Sequence, residues 1–194
     1  IKKFASKHKK VNVIAREDNI GYKSGNLNNM LKHTKGEIIV IFDSDFLPKS
    51  DFLRRIITPF QYDDELSAVR ARWNVMNPNE NLVTRLGTAI ATMYHYVILP
   101  FLYSSADMSS LCGSAEAVKK ETLLELGRWE LGSFTEDIEF SIRMLTHNKK
   151  ITYLPDLECE CEVPFTPSDL YKQQMRWAYG VISSFKEHFV SILK

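Results

Sequence analysis

Three clusters of chemically capable residues stand in a fixed order along the chain: Asp43-Ser44-Asp45, Thr135-Glu136-Asp137, and Gln173-Gln174-Met175-Arg176-Trp177. The first follows an apolar run, Ile38-Ile39-Val40-Ile41-Phe42, that reads as a buried strand. A D-x-D behind such a strand sets two carboxylates at the carboxyl edge of a sheet, where open α/β folds bind ligands. Two carboxylates there suit a hard divalent cation, Mg2+ or Mn2+, that carries a diphosphate. Alone, the same triplet also reads as a solvated acidic turn at a strand end. In the second cluster, Thr135 is placed to cap a helix whose first turn holds Glu136 and Asp137. That capping role would account for all three residues without any catalysis. In the third, Gln173 and Trp177 are one helical turn apart and share a face. Arg176 beside them offers a planar fork of donors for a phosphate. A core tryptophan and a surface arginine on an ordinary helix would give the same pattern.

The elements that must position these clusters alternate. Val11–Ala15 reads as a strand, Leu27–His33 as a helix, Glu37–Phe42 as a strand and Lys49–Phe60 as a helix with Pro48 ahead of it. Ala68–Val75 alternates Val69, Ala71, Trp73 and Val75 on one face of a strand. Ala115–Leu126 reads as a helix closed by Gly127, and Glu136–Thr146 as a helix with Ile138, Ile142 and Leu145 at core spacing. Ile151–Leu154 is a short strand ending before Pro155, and the chain is helical from Ser168 onward. Such alternation implies an α/β fold, a parallel sheet with covering helices.

The 194 residues suit one domain, with 44% hydrophobic and 25% charged residues and a net charge of +1. No global field argues for a nucleic-acid partner. The lysines at 2, 3, 7, 9 and 10 read as a solvated helix end. Three cysteines make no disulfide framework, and Cys159 and Cys161 share a strand face; reduced thiols in a cytosolic setting follow. Leu86–Ala106 carries no Asp, Glu, Lys or Arg. About 20 apolar residues span a bilayer, but the tyrosines, threonines, serines and His95 in this stretch argue for a buried or membrane-facing helix broken near Pro100. Trp73 and Trp129 read as core or channel wall. The last helix, 178–194, has a strongly apolar face that packs on the domain or lies at a membrane surface.

The ordered trio resembles the D-x-D, T-E-D and Q-x-x-R-W of family 2 glycosyltransferases, in particular the processive branch of cellulose, chitin, hyaluronan and mannan synthases. Lys23-Ser24-Gly25-Asn26-Leu27-Asn28 is similar to the family's K-A-G-N-L-N, and Leu111-Cys112-Gly113-Ser114 to its F-C-G-[ST], with Leu111 where an aromatic residue is common. Val69-Arg70-Ala71-Arg72-Trp73, with Asn77 and Glu80-Asn81-Leu82 behind it, is similar to plant mannan synthases and related bacterial enzymes. The resemblance implies a GT-A-type, Rossmann-like mixed sheet with covering helices. It also implies that the first strands of the nucleotide-binding half precede residue 1, so that 1–194 is an amino-terminally incomplete catalytic domain.

For function, the resemblance implies metal-dependent, inverting transfer of a sugar from a nucleotide-diphosphate donor to a growing β-glycan or a related glycan or glycolipid acceptor. Asp137 is the expected catalytic base. Donor binding falls to Lys23, Asp43, Asp45, Gln173 and Arg176, with Asp45 and Asp43 at the metal. Acceptor binding falls to Cys112, Gly113, Ser114, Glu136 and Trp177. The whole protein is expected at the cytoplasmic face of a membrane. Rival readings are a non-processive transferase acting on a lipid or oligosaccharide, a binding-only nucleotide or glycan module, and a nucleotidyltransferase. The last would carry an early glycine-rich, basic phosphate loop, which is not seen here.

Overall fold

The computed structural model describes residues 1–193. In chain order it contains α1 (Lys2–Ala5), α2 (Tyr22–Leu31), β1 (Ile38–Ile41), β2 (Phe46–Leu47), α3 (Phe52–Ile57) with a 3-10 turn (Thr58–Gln61), and β3 (Leu66–Val75). There follow α4 (Leu82–Thr92), a π-helical stretch (Met93–Ile98), α5 (Leu99–Ala106), β4 (Glu116–Lys119), α6 (Lys120–Glu125), α7 (Glu136–Thr146), β5 (Lys150–Cys161) and α8 (Pro167–Ile192).

The strands form one five-stranded sheet in the order β1-β4-β3-β5-β2. It is mixed rather than parallel: β3 and β5 are the one neighbouring pair that is parallel, and β4 lies antiparallel between β1 and β3. The carboxyl ends of β1, β3 and β5 therefore share one edge with the amino end of β4. One face of the sheet carries a core of Val69 and Ala71 against Phe52, Ile56 and Phe60. The other packs Ala68 and Val118 against Leu31, Leu123, Phe140 and Met144, from α2, α6 and α7. Val69, Ala71, Trp73 and Val75 do share one face, as their alternation requires.

Several elements depart from the sequence reading. Val11–Ala15 forms no strand; Val11 and Val13 are exposed, and no described strand lies alongside to complete a ladder. Helix α2 begins at Tyr22, five residues before Leu27. Helix α3 starts only after Asp51 and tightens to a 3-10 turn at Thr58–Gln61, so Lys49–Phe60 is not one helix. The stretch 115–126 is half strand: β4 buries Ala117 and Val118 completely inside the sheet, and α6 starts only at Lys120. Burial on both faces outweighs the helical preference of Ala-Glu-Ala-Val-Lys-Lys. Strand β5 does not stop at Pro155. The register jumps from Ala71↔Leu154 to Arg72↔Glu158, so Pro155, Asp156 and Leu157 form a bulge that absorbs the missing N–H.

Nor is the helix broken at Pro100. Leu82–Ala106 runs on through the π-helical stretch, and Pro100 sits in the first turn of α5. A wider turn just before the proline makes room for the ring and for the carbonyl it leaves unbonded. The capping box of Asn81 and Thr84 starts this rod. Its most apolar 18 residues have a mean hydropathy of 1.2, and only 17% of them are buried. Among the described residues it is the one helix long and apolar enough to cross a membrane.

Helix α8 is fixed to α7. The Glu139 carboxylate, buried on α7, lies 2.6 Å from Arg143 and 2.8 Å from His188 Nε2 of α8. Thr166 caps α8 by accepting from the Asp169 N–H, and Pro167 occupies its first turn. Gly180 lets the two helices meet: a Cβ there would come within 2.5 Å of Thr135 Cγ2.

Candidate active site

The D-x-D segment leaves β1 and crosses the shared sheet edge to reach β2, which pairs with the end of β5 through Phe46↔Cys161. The Asp43 N–H donates to Ser114 Oγ at 2.9 Å, and the Phe46 N–H closes the turn on the Asp43 carbonyl. This turn brings Asp43 and Asp45 over the ends of the central strands. Asp43 is half-buried and Asp45 is exposed.

Lys23, in the first turn of α2, reaches into the same space. Its Nζ lies 2.8 and 3.0 Å from the two Asp43 oxygens, 3.3 Å from Glu136 Oε1, and donates to the Gly113 carbonyl at 2.8 Å. Burial alone would lower its pKa, but Glu136 and Asp43 together hold it above the ordinary lysine value. Lys23 is therefore a fixed positive charge among several carboxylates.

Asp137 is in the first turn of α7. Burial first, and the charge of Glu136 second, push its pKa up to about 6, against the opposing pull of backbone N–H groups and Lys23. A carboxylate so placed is a stronger base than an exposed one and is still ionised at neutral pH. Gly113 has φ +80°, and a Cβ there would stand 2.9 Å from Lys23 Nζ and 3.2 Å from Asp137 Oδ2. Only glycine fits both the backbone angle and the space.

Thr135 corrects one expectation. It occupies the N-cap position of α7, but its side chain makes no capping hydrogen bond. Its hydroxyl is buried without a hydrogen-bond partner, beside Gly180 of α8. A buried hydroxyl left unpaired at the head of a catalytic-type triplet is available to a ligand.

A pocket of about 140 Å3 collects the predicted groups. Lys23, Asp43 and Asp45 line it from one side. Cys112, Glu136 and Asp137 also line it, as do Gln173, Arg176 and Trp177 of α8. Arg176 donates weakly to the Phe134 carbonyl at 3.4 Å and is exposed. Two predicted residues do not line this space. Gly113 and Ser114 lie behind it, Gly113 holding Lys23 and Ser114 holding Asp43 and, through its carbonyl, Trp73 Nε1 at 3.2 Å. Cys112 lines it with an unreactive thiol, its pKa pushed up to about 12 by burial. All three cysteines are free.

Sequence reasoning missed a supporting layer. Glu116, at the start of β4 and 1% exposed, accepts the Cys112 and Gly113 N–H groups at 2.8 and 2.9 Å. Arg70, equally buried on β3, donates to the Ser110 carbonyl at 2.9 Å and lies 3.2 Å from His95 Nδ1. His95 stacks on Trp73 with ring centroids 4.8 Å apart, and burial together with Arg70 and Arg72 pulls its pKa down to about 2, so it stays neutral. The signal was a charged residue within an apolar strand pattern, as in Val69-Arg70-Ala71. For Glu116 that signal was hidden by the helical reading of its segment.

Glu116 gives a stability test. Burial first and Asp137 second push its pKa from 4.5 to about 8, despite its two N–H partners. An acid held above its unfolded value contributes stability that is complete below about pH 4.5 and is lost as pH rises through about 8. Glu116→Gln keeps an acceptor for both N–H groups and removes that titration. The urea midpoint of the parent is expected to fall more steeply than that of the variant between pH 5 and 8. Parallel slopes would show that Glu116 does not titrate there.

The pattern of Glycosyl transferase family group 2 matches residues 38–193. Glucomannan 4-beta-mannosyltransferase 2 of Arabidopsis thaliana is 32% identical over 99% of this chain and 36% of its own length. Glucomannan 4-beta-mannosyltransferase 1 of Oryza sativa subsp. japonica is 32% identical over 96% of this chain and 37% of its own. The chain thus spans little more than a third of these curated relatives. Among solved structures, a mannosyltransferase from Pyrobaculum calidifontis in complex with GDP-Man and Mn2+ superimposes with a TM-score of 0.70 at 22% identity, over 97% of this chain and 50% of that one. A glucosyl-3-phosphoglycerate synthase from Mycobacterium tuberculosis, in complex with Mn2+, UDP-glucose and phosphoglyceric acid, gives 0.54 at 17% identity, over 93% and 58%. These two share the GT-A fold. The fold is therefore common to glycosyltransferases, the sequence match extends from β1 through the whole of α8, and the chain belongs to glycosyl transferase family group 2.

Proposed function

We propose that this chain is the catalytic part of an inverting hexosyltransferase that moves a sugar from a nucleoside diphosphate to a hydroxyl of a glycan or glycolipid. GDP-mannose is the first candidate donor, following the printed names of the relatives, and UDP-glucose the second. The observation that carries the reading is the convergence of Asp43, Asp45, Asp137, Gln173, Arg176 and Trp177 on one pocket.

The donor set fits a hard divalent cation, Mg2+ or Mn2+. Asp43 and Asp45 supply two carboxylates, and no group of three or more His, Cys, Asp or Glu able to hold a metal occurs among the described residues. Cations of this kind are commonly held by one or two carboxylates and completed by substrate phosphates. When bound, the cation would neutralise charge on the departing diphosphate. Arg176 and Lys23 are placed to add positive charge on that side. Asp137 accepts the acceptor's hydroxyl proton as the oxygen bonds to the anomeric carbon from the face opposite the diphosphate. The bond to the diphosphate breaks and its electron pair leaves with it, so the configuration inverts. Trp177 offers the acceptor sugar an apolar plane. Repeated addition to a growing β-glycan is the extension suggested by the relatives' names.

The whole protein is proposed to work at the cytoplasmic face of a membrane. The exposed side of Leu82–Ala106, with Leu86, Val97 and Phe101, supports this, as do exposed Ile182, Phe185 and Phe189 on α8. The free thiols suit a reducing compartment.

Calorimetric titration with GDP and UDP, each with and without Mn2+, tests the donor assignment. Binding of one nucleotide with metal dependence is expected, and binding of neither overturns it. A second test uses Lys23, which lowers the pKa of Asp137 by its charge. Lys23→Met is expected to shift the acid limb of the kcat profile above about pH 6, besides weakening donor binding. An unmoved limb would separate Lys23 from the base.

A further inference from the structure

A second cavity of about 590 Å3 adjoins the polar pocket. The two share Trp73, Cys112, Thr135, Asp137 and Trp177 as a common wall. The rings of Trp73 and Trp177 stand 6.5 Å apart and inclined by 59° at that wall. Beyond it the lining is mostly hydrocarbon: Ala89, Ile90, Met93 and Ile98 from the long rod, Ile138 from α7 and Val181 from α8, with Gln174 of α8 as a polar exception.

Most polar groups of this lining are already engaged, while the Gln174 amide makes one long contact, donating to Gln173 Oε1 at 3.4 Å. The Tyr94 hydroxyl pairs with Ser110 Oγ at 3.2 Å. His95 Nδ1 faces Arg70 at 3.2 Å and the Trp73 N–H at 3.4 Å. A sugar ring pushed into this space would bury more hydroxyls than the Gln174 amide can pair, which is unfavourable. A hydrocarbon chain would lose nothing and gain the burial of its surface. The Thr135 hydroxyl and the Asp137 carboxylate lie on the shared wall, where a reacting hydroxyl has to be.

We propose that the acceptor is a glycolipid: its sugar rests at the Trp73–Trp177 wall with a hydroxyl at Asp137, and its alkyl chain fills the apolar cavity. This rests on the transferase reading and names the acceptor class for that site. The volume lies within the range of cavities that enclose a small organic ligand. Continuity with the Asp137 pocket is what separates this cavity from the exposed apolar helix faces outside.

The test is calorimetry of the chain with mannose, hexyl β-mannoside and octyl β-mannoside, below their micellar concentrations, with GDP and Mn2+ titrated separately. Affinity is expected to rise about fifteenfold from hexyl to octyl, since each of the two added methylenes contributes about fourfold when buried. Ile90→Trp, which fills the cavity, is expected to abolish the dependence on chain length and leave GDP binding intact. Val181→Phe narrows the space from the opposite wall and provides the same reading should Ile90→Trp not fold. Phe189→Ser, on the exposed face of α8, is expected to change neither. Equal affinity for the two alkyl mannosides overturns the proposal. So does a chain-length dependence that survives cavity filling or vanishes in Phe189→Ser. Loss of GDP binding in the parent would instead overturn the transferase reading, so the two failures are distinct.

Discussion

Asp137→Asn is expected to lower kcat by about 10²- to 10⁴-fold, the usual contribution of a general base. The amide keeps the shape of the carboxylate and the backbone contacts of the α7 amino terminus, but it cannot take a proton. Because Asp137 acts on the acceptor hydroxyl, nucleotide affinity should stay within about twofold and the loss should fall on kcat rather than KM. The pH profile supplies a second readout. With the Asp137 pKa at about 6, parental kcat should rise from pH 5 to 7 and level off. The sign follows from the ionised form being the active one. The residual rate of the variant should show no such limb. Near-parental turnover in Asp137→Asn would remove the base from this residue. Lost rate with the limb retained would mean that another carboxylate titrates in the profile, and Glu116, whose pKa is also raised, is the candidate.

The three clusters were legible because each is local. Asp43 and Asp45 follow an apolar run, Glu136 and Asp137 open an amphipathic helix, and Gln173, Arg176 and Trp177 lie on consecutive turns of another. What the spacing could not give is how they meet. That depends on β4 entering the sheet antiparallel between β1 and β3, and its residues 116–119 have the composition of a helix. A strand buried on both faces is set by its neighbours more than by its own preference. Misreading that segment also concealed Glu116, whose carboxylate shapes the Cys112–Gly113 turn.

The prolines show the same limit. Pro155 and Pro100 are sound local stop signals, but a bulge in β5 and a π-helical stretch ahead of α5 accommodate them. Thr135 was read as a cap from its type and position. In the fold, the close approach of Gly180 turns its hydroxyl into a buried, unpaired group on the wall between two cavities. For Pro155 and Thr135 a neighbouring strand or helix replaced the partner that the local sequence would have chosen.

Asp45→Ala is expected to abolish the Mn2+ dependence of nucleotide binding while sparing the fold. The two D-x-D carboxylates are not equivalent. Both oxygens of Asp43 are within 3.0 Å of Lys23 Nζ, so its charge is largely answered within the protein. The Asp45 side chain is exposed and makes no ion pair with a described residue, so it is the freer ligand. Two carboxylates without a third form a weak metal site by themselves, and a nucleoside diphosphate would supply the missing oxygens. Metal and nucleotide should therefore bind with positive coupling, about tenfold to a hundredfold in either order, because coupling between two ligands is reciprocal. In Asp45→Ala that coupling should vanish, leaving nucleotide affinity equal to the parent's metal-free value. Asp43→Ala is a less selective probe, since it also releases Lys23 toward Glu136 and Asp137 and would alter the base. Calorimetry with GDP, repeated at several fixed Mn2+ concentrations, reads the coupling directly. Persistence of the full coupling in Asp45→Ala would exclude the D-x-D turn as the metal's main anchor and leave Lys23 and Arg176 to balance the diphosphate.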